Sequence, residues 1–77
     1  MQTFITVKLF ATLSNFTPLS AEKYTIAPGT SVRMLLEQLG VAANEVRLIF
    51  INGRKGDLAS ILQGGERVGI FPPVGGG

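Results

Sequence analysis

The order of hydrophobic patterns along this chain of 77 residues predicts an α+β fold, in which one main helix lies across a mixed sheet of four to five strands. Three observations carry the prediction. Residues 3–10 and 67–71 alternate apolar and polar side chains, which is typical of half-buried strands. Residues 32–39 carry apolar side chains at helical spacing. The Asn-Gly pair at residues 52–53 is a strong short-range signal for a hairpin.

Two strands are predicted before the helix. The first, at residues 3–10, places alternate apolar side chains on one face, namely Ile5, Val7 and Leu9. Phe4 and Phe10 fall on the opposite face, which is unusual for a face that contacts only water. Residues 11–19 form a loop, and residues 23–26 form the second strand. Two strands joined by such a loop are expected to pair antiparallel.

The main helix is predicted to begin after Pro28-Gly29, with Thr30 or Ser31 as its N-cap. Its inward face is defined by apolar residues at helical spacing, which are Val32, Leu35, Leu36 and Leu39. Gly40 is the expected C-terminal stop, because glycine readily adopts the left-handed conformation that ends many helices.

The C-terminal half is predicted to complete the sheet. Residues 46–51 are a near-continuous apolar run, which indicates a central strand or one covered on both faces. After the hairpin, a short return strand begins at Arg54. Residues 58–62 are predicted to form one helical turn, with three apolar side chains inward: Leu58, Ile61 and Leu62. Residues 67–71 are the last strand, and this arrangement is the β-grasp, or ubiquitin-like, architecture.

The composition excludes several classes of chemistry. The chain contains no Cys and no His, which removes thiolate nucleophiles, zinc and iron–sulfur sites and the commonest general base. The seven Lys and Arg residues are scattered, and the five Asp and Glu residues reduce the net charge to +2. Nucleic-acid binding is therefore not predicted. No apolar run approaches the ~20 residues that span a membrane. We therefore expect a cytoplasmic protein that binds no metal and is not itself an enzyme.

The chain is predicted to divide into a β-grasp domain at residues 1–71 and an extended, flexible C-terminal tail at residues 72–77. Pro72 and Pro73 cannot donate to a sheet ladder, so the last strand is expected to end before them. Gly75–Gly77 carry no side chains. At ~3.3 Å per residue, the tail would carry its carboxylate ~20 Å from the domain.

A terminal run of glycines without side chains suits a narrow tunnel that leads to another protein's active site, because glycine lets one backbone approach another closely. A carboxylate is also a group that ATP can activate as an acyl-adenylate. Since the chain lacks Cys, the carboxyl terminus is the one remaining place for it to carry sulfur. The alternative interpretation is that the glycines are a frayed terminus or the remnant of a linker.

Five segments of the chain carry a resemblance to a known family. They are Lys8-Leu9-Phe10-Ala11, Pro28-Gly29-Thr30-Ser31-Val32, Ile51-Asn52-Gly53, Gly65-Glu66-Arg67-Val68 and Phe71-Pro72-Pro73-Val74-Gly75-Gly76-Gly77. Together they cover essentially the whole chain and resemble the MoaD/ThiS family of ubiquitin-like sulfur carriers. The Phe-Pro-Pro-Val-x-Gly-Gly ending is the most specific segment, and it is most similar to the small, sulfur carrier subunit of molybdopterin synthase.

This resemblance implies a cycle of sulfur transfer. A ubiquitin-activating-type adenylating enzyme would thread the tail through Gly75 and Gly76 and adenylate Gly77 with Mg-ATP, so that the chain itself binds no cofactor. A sulfur donor would then convert the adenylate into a thiocarboxylate on Gly77. The loaded carrier would dock to the large subunit of molybdopterin synthase, which transfers the sulfur to a pterin precursor of a molybdenum or tungsten cofactor.

The partner-binding surface is expected near the tail. Phe10 and Phe71, on strands predicted to be neighbours, are candidates for an exposed apolar patch, and the adjoining tail residues Pro72, Pro73 and Val74 extend it. The alternative is that both phenylalanines complete the core.

Three other functions stay open on the sequence alone. The chain can be a protein modifier, whose Gly77 is joined to a lysine as an isopeptide. It can be a sulfur carrier for thiamine, cysteine or tRNA thiolation. It can also be a β-grasp module that binds partners without covalent chemistry, in which case the terminal glycines are dispensable.

Overall fold

The computed structural model describes residues 2–73. Its strands are β1 (Thr3–Leu9), β2 (Tyr24–Ile26), β3 (Thr30–Ser31), β4 (Leu48–Ile51), β5 (Arg54–Gly56), β6 (Ile61–Leu62) and β7 (Arg67–Phe71). Its α-helix is α1 (Val32–Leu39), and short 3₁₀ helices occupy Ala11–Phe16, Ala21–Lys23 and Ala43–Glu45. The predictions for residues 74–77 concern a segment outside the described residues.

The main sheet has five strands in the order β2-β1-β7-β4-β5. The central pair, β1 and β7, runs parallel, whereas the other neighbours run antiparallel. A separate two-stranded sheet pairs β3 with β6. The prediction of a mixed sheet with one main helix is therefore confirmed.

The core lies between α1 and one face of the main sheet. The strand alternation predicted for β1 is confirmed, because Ile5, Val7 and Leu9 are all buried. They join a single cluster with buried residues of α1, β4 and β7, which are Val32, Leu35, Leu36, Ile49, Val68 and Ile70. Burial of apolar side chains on this one face is the main force that holds the helix to the sheet.

Helix α1 begins and ends at the predicted residues. The Ser31 hydroxyl accepts a hydrogen bond from the Met34 amide at 3.1 Å, which satisfies one of the amide groups left free at a helix start. Gly40 adopts φ 81° at the C-cap. The Val41 amide then donates to the Leu36 carbonyl at 2.9 Å, which closes the last turn.

The predicted helical turn at residues 58–62 is wrong. Ile61 and Leu62 form β6, and Ile61 is exposed rather than inward, whereas Leu62 is fully buried. The physical reason is the start of α1: the Val32 amide donates to the Ser60 carbonyl at 2.9 Å, and the Arg33 amide donates to the Leu58 carbonyl at 3.0 Å. Residues 58–59 form a tight turn, and the chain is extended from Ser60 into β6, which pairs with β3. The Leu58 and Ser60 carbonyls therefore face the free amides of the helix start, whereas a continuous helix over residues 58–62 would use such carbonyls internally.

The segment predicted as a loop at residues 11–19 holds a 3₁₀ helix, Ala11–Phe16, and a core residue. Leu13 has 0% exposure and belongs to the core cluster. Its amide donates to the Phe10 carbonyl at 3.0 Å. The chain therefore turns across the end of β1, and the Leu13 side chain packs into the core. A single apolar residue among polar neighbours has no periodicity, and the sequence pattern therefore did not reveal it.

The predicted hairpin between β4 and β5 is confirmed. Asn52 and Gly53 both have positive φ, at 53° and 80°, as a two-residue turn between antiparallel strands favours. Asn52 also joins the hairpin to β7, because its side-chain oxygen accepts from the Arg67 amide at 2.9 Å.

The burial of Leu13 leads to a test of the core. We expect Leu13→Ala to lower the free energy of unfolding by about 2–5 kcal/mol, because it leaves a cavity in a packed interior. Leu19→Ala is the matched control: Leu19 is fully exposed in the next stretch of the same connection. Urea denaturation followed by circular dichroism measures both variants. Equal and small losses for the two leucines would contradict the placement of Leu13.

Candidate functional site

The second face of the main sheet is the one that α1 does not cover. Strand register places Lys8 of β1, Gly69 of β7 and Phe50 of β4 in one row across this face. The neighbouring row has Phe71 of β7 opposite Leu48 of β4. We call this second face the open face. Its residues alternate along each strand with the buried ones, as the pleat requires.

Three phenylalanines cluster on the open face, and we call Phe10, Phe50 and Phe71 the aromatic cluster. The rings of Phe10 and Phe71 are stacked, with centroids 4.2 Å apart and an interplanar angle of 1°. Phe50 meets Phe71 edge-on at 5.7 Å and 86°. Such pairs add stabilisation beyond the area that they bury. Phe10 is still 38% exposed, and Phe50 and Phe71 are half-buried.

The structure brings the two predicted docking candidates together. Phe10 follows β1, Phe71 ends β7, and these strands are neighbours. Both rings lie on the face opposite the core cluster, so the structure does not use them to complete that core. Sequence reasoning missed Phe50, although its alternation with the inward Ile49 was the available signal. Partner binding by these residues stays a prediction.

A shallow depression of about 350 Å³ lies beside the aromatic cluster. Gly69, which pairs with Lys8, is one of the residues that line the depression, and the aromatic cluster forms much of the wall of the depression. The charged residues that line it are Lys8 and Arg67, both exposed and both cationic. The depression therefore combines apolar walls with a positive rim, and no carboxylate among the described residues lines it.

The base of the tail adjoins the same surface. The Phe71 carbonyl accepts from the Arg47 amide at 2.8 Å, and β7 ends at that residue. Pro72 is half-buried and Pro73 is exposed. The remaining predicted tail residues, Val74, Gly75, Gly76 and Gly77, lie outside the described residues.

The described residues offer little other chemistry. Between residues 2 and 73, no group of three or more acidic side chains is placed to hold a metal ion. No helix in that range is long and apolar enough to cross a membrane.

Comparison with known proteins identifies the family. The family model for Mut7-C ubiquitin matches residues 2–75. No curated protein matches the chain.

Several solved structures share the fold. The solution structure of the Haloferax volcanii HVO 2177 protein has a TM-score of 0.75 at 22% identity, covering 99% of this chain and 88% of that one. The crystal structure of H. volcanii small archaeal modifier protein 1 has a TM-score of 0.67 at 19% identity, covering 94% and 99% of the two chains.

A third solved structure, from Pyrococcus furiosus, is provisionally assigned as subunit 1 of a molybdopterin converting factor. It has a TM-score of 0.64 at 26% identity and covers 94% of this chain and 99% of that one. These likenesses establish a ubiquitin-like β-grasp fold of the MoaD/ThiS type. Because the family model spans nearly the whole sequence, the chain belongs to the Mut7-C ubiquitin family.

Proposed function

We propose that this protein is a ubiquitin-like sulfur carrier, whose Gly77 carboxylate is adenylated and then converted to a thiocarboxylate that donates sulfur in molybdopterin synthesis. The observation that carries the proposal is the position of β7. This one strand supplies Phe71 to the partly exposed aromatic cluster and then leads directly into Pro72-Pro73 and the glycine tail. A partner that binds the cluster thereby holds the start of the tail at a fixed place.

The chemistry asks little of the carrier itself. A carboxylate oxygen of Gly77 attacks the α-phosphorus of ATP, pyrophosphate leaves, and an acyl-adenylate forms. A donor at the oxidation level of hydrosulfide then attacks the carbonyl carbon, AMP leaves, and the thiocarboxylate remains. The adenylating partner supplies Mg-ATP and the catalytic groups, so the carrier acts as a co-substrate.

The carrier also needs a surface on which its partners can dock, and we assign that role to the open face. Binding energy in protein interfaces is concentrated in a few buried residues, and aromatic residues and Arg are enriched there. The aromatic cluster and the adjacent Arg67 have that composition. We propose that the adenylating enzyme and the large subunit of molybdopterin synthase bind this face in turn. The solved P. furiosus relative, assigned to a molybdopterin converting factor, supports this pathway.

A protein modifier is the second candidate. The similarity in fold to small archaeal modifier protein 1 supports it. In that function a lysine amine of a target protein attacks the same acyl-adenylate, AMP leaves, and an isopeptide bond forms. The two functions share adenylation of Gly77 and differ in the product, so the mass of the product distinguishes them.

Sulfur loading is tested on the terminus. We expect the protein isolated from its native cell, or incubated with the adenylating enzyme, ATP and sulfur donor, to gain about 16 Da, since sulfur replaces one oxygen. Fragmentation must place the gain on Gly77, because oxidation of Met1 or Met34 gives a nearly equal shift. The same spectra establish whether Gly77 carries the terminal carboxylate.

Two variants make this test specific. One residue added after Gly77 is expected to abolish loading, because the reacting carbon moves ~3.5 Å from its place. Deletion of Gly75–Gly77 is expected to abolish loading while the melting midpoint stays the same, because β7 already ends at Phe71. An extended chain that is loaded without being trimmed would contradict the proposal, and a large drop in midpoint on deletion would contradict the role of the tail.

The docking role of the aromatic cluster is tested with Phe10→Ala. We expect binding to the adenylating enzyme to weaken by ~2 kcal/mol or more. Stability should fall by less than the ~3–5 kcal/mol typical of a buried phenylalanine, because Phe10 is 38% exposed and outside the core cluster. Calorimetric titration and urea denaturation measure the two effects, and Leu19→Ala is the control for an exposed apolar residue. Loss of folding with no separable loss of binding would contradict the assignment.

A further inference from the structure

Asn52 and Gly53 form the tip of the β4–β5 hairpin, and this pair of residues is chemically reactive. Because glycine has no side chain, its backbone nitrogen is open to contact with the side-chain amide carbon of the asparagine before it. Both residues are exposed. Apart from its chain neighbours, no described residue has an atom within 4 Å of the place where a Cβ on Gly53 would stand. Water therefore reaches the groups that react.

The reaction open to this pair is a hydrolysis in two steps. The Gly53 nitrogen gives its proton to water and bonds to Cγ of Asn52, the Cγ–Nδ2 bond breaks, and Nδ2 takes up a proton and leaves as ammonia. The product is a cyclic succinimide. Water then adds to one of the two ring carbonyl carbons and breaks the bond from that carbon to the Gly53 nitrogen. Cleavage at Cγ gives aspartate, whereas cleavage at the main-chain carbonyl carbon gives isoaspartate.

The folded turn opposes the first step. The φ values of Asn52 and Gly53, 53° and 80°, match a type I′ turn, in which ψ of the first residue is about +30°. At that ψ the Gly53 nitrogen lies nearly trans to Cβ of Asn52 about the Cα–C bond, whereas ring closure requires the two atoms to be on the same side. The nitrogen therefore points away from Cγ as long as the turn is intact.

Strand β7 restrains the same residue. Oδ1 of Asn52 accepts a hydrogen bond from the Arg67 amide at 2.9 Å, and the Asn52 amide donates to the Arg67 carbonyl at 2.9 Å. Rotation of the side chain toward Gly53 breaks the first bond, and rotation of the main chain breaks the second. Both bonds join the tip to one residue of β7, so the tip can detach while the buried side chains of the core stay in place.

We propose that Asn52 is a modification site at which the chain converts its own asparagine to aspartate and isoaspartate, and that the reaction proceeds only while the hairpin tip is detached from β7. The observed rate is then the rate for an open tip multiplied by the fraction of molecules in which the tip is open. The inference does not depend on the proposed function, because the reactants are two residues of this chain and water.

The two products have different effects on the fold. Aspartate keeps the length of the main chain and tolerates a positive φ, and its carboxylate still accepts from the Arg67 amide, as a charge-assisted bond. Isoaspartate directs the main chain through Cβ and Cγ and so adds one atom to the turn. The type I′ geometry and the strand register depend on the length of the turn. Aspartate therefore leaves the sheet intact, whereas isoaspartate releases the tip from β7.

The experiment incubates the full-length protein and a peptide of residues 48–57 in the same mildly alkaline buffer. Peptide mapping by mass spectrometry detects the exchange of NH for O at each asparagine, and an isoaspartyl methyltransferase labels isoaspartate alone. We expect Asn52 to convert in the folded protein about tenfold to a hundredfold more slowly than in the peptide. Asn15 and Asn44 are internal controls, since both are exposed and each precedes a residue whose side chain hinders the attack.

Urea distinguishes detachment of the tip from unfolding of the whole domain. The free energy of unfolding falls linearly with urea in proportion to the surface exposed, and detachment of the tip exposes little surface. The rate at Asn52 should therefore stay nearly constant at urea concentrations below the unfolding transition.

The products are tested separately by thermal unfolding. Asn52→Asp, which reproduces the aspartate product, should keep the melting midpoint of the wild type. The isoaspartate form, isolated by chromatography from incubated protein, should melt at a lower temperature.

Each outcome decides one point. Conversion of Asn52 in the folded protein at the rate of the peptide overturns the protection by the turn and β7. No conversion by the time the peptide has converted completely overturns the site, and so does earlier conversion at Asn15 or Asn44. A rate that rises with urea in step with the unfolded fraction overturns detachment of the tip alone. An Asn52→Asp variant that melts far below the wild type overturns the difference between the products.

Discussion

The parallel pairing of β1 with β7 is the constraint on which the rest of the structure depends. It joins residues from the two ends of the chain, with Val7 opposite Val68 and Leu9 opposite Ile70 on the buried face. Because side chains alternate along both strands, the same register places the stacked rings of Phe10 and Phe71 on the open face. A slip of one residue would exchange the two faces and remove both the core and the aromatic cluster.

Local patterns predicted most of the secondary structure. The alternation in β1, the apolar spacing and caps of α1, and the Asn-Gly turn each depend on residues close together in sequence, and each is confirmed. The features that the sequence did not predict depend on distant partners. Leu13 is buried because the chain crosses the end of β1, and β6 is extended because it pairs antiparallel with β3, the short strand that precedes α1.

The candidate site follows the same division. The sequence singles out the tail and the two phenylalanines beside it, because Pro-Pro and terminal glycines have a direct physical meaning. The structure brings the two phenylalanines together, whereas residues 74–77 of the tail lie outside the described residues. Phe50 is not singled out by the sequence, since its place in the aromatic cluster depends on the register between β4 and β7.

In the proposed carrier, docking and chemistry would be separate in space and joined by one short tail. The open face would supply affinity, Gly77 would supply the reacting carboxylate, and Pro72-Pro73 would set the distance between them. Such a division explains how a chain without Cys or His can take part in demanding chemistry. In this arrangement adenylation would depend on the length of the tail as much as on the residues of the open face or on Gly77 itself.

The separation of docking from chemistry is tested most directly with a variant that has two glycines inserted between Pro73 and Val74. The measurement is the adenylation of this variant by the adenylating enzyme. We expect the variant to bind the adenylating enzyme with wild-type affinity, since the open face is unchanged. We expect pyrophosphate exchange to be lost, because the carboxylate no longer stops at the reacting position. Exchange at the wild-type rate in this variant would contradict the account.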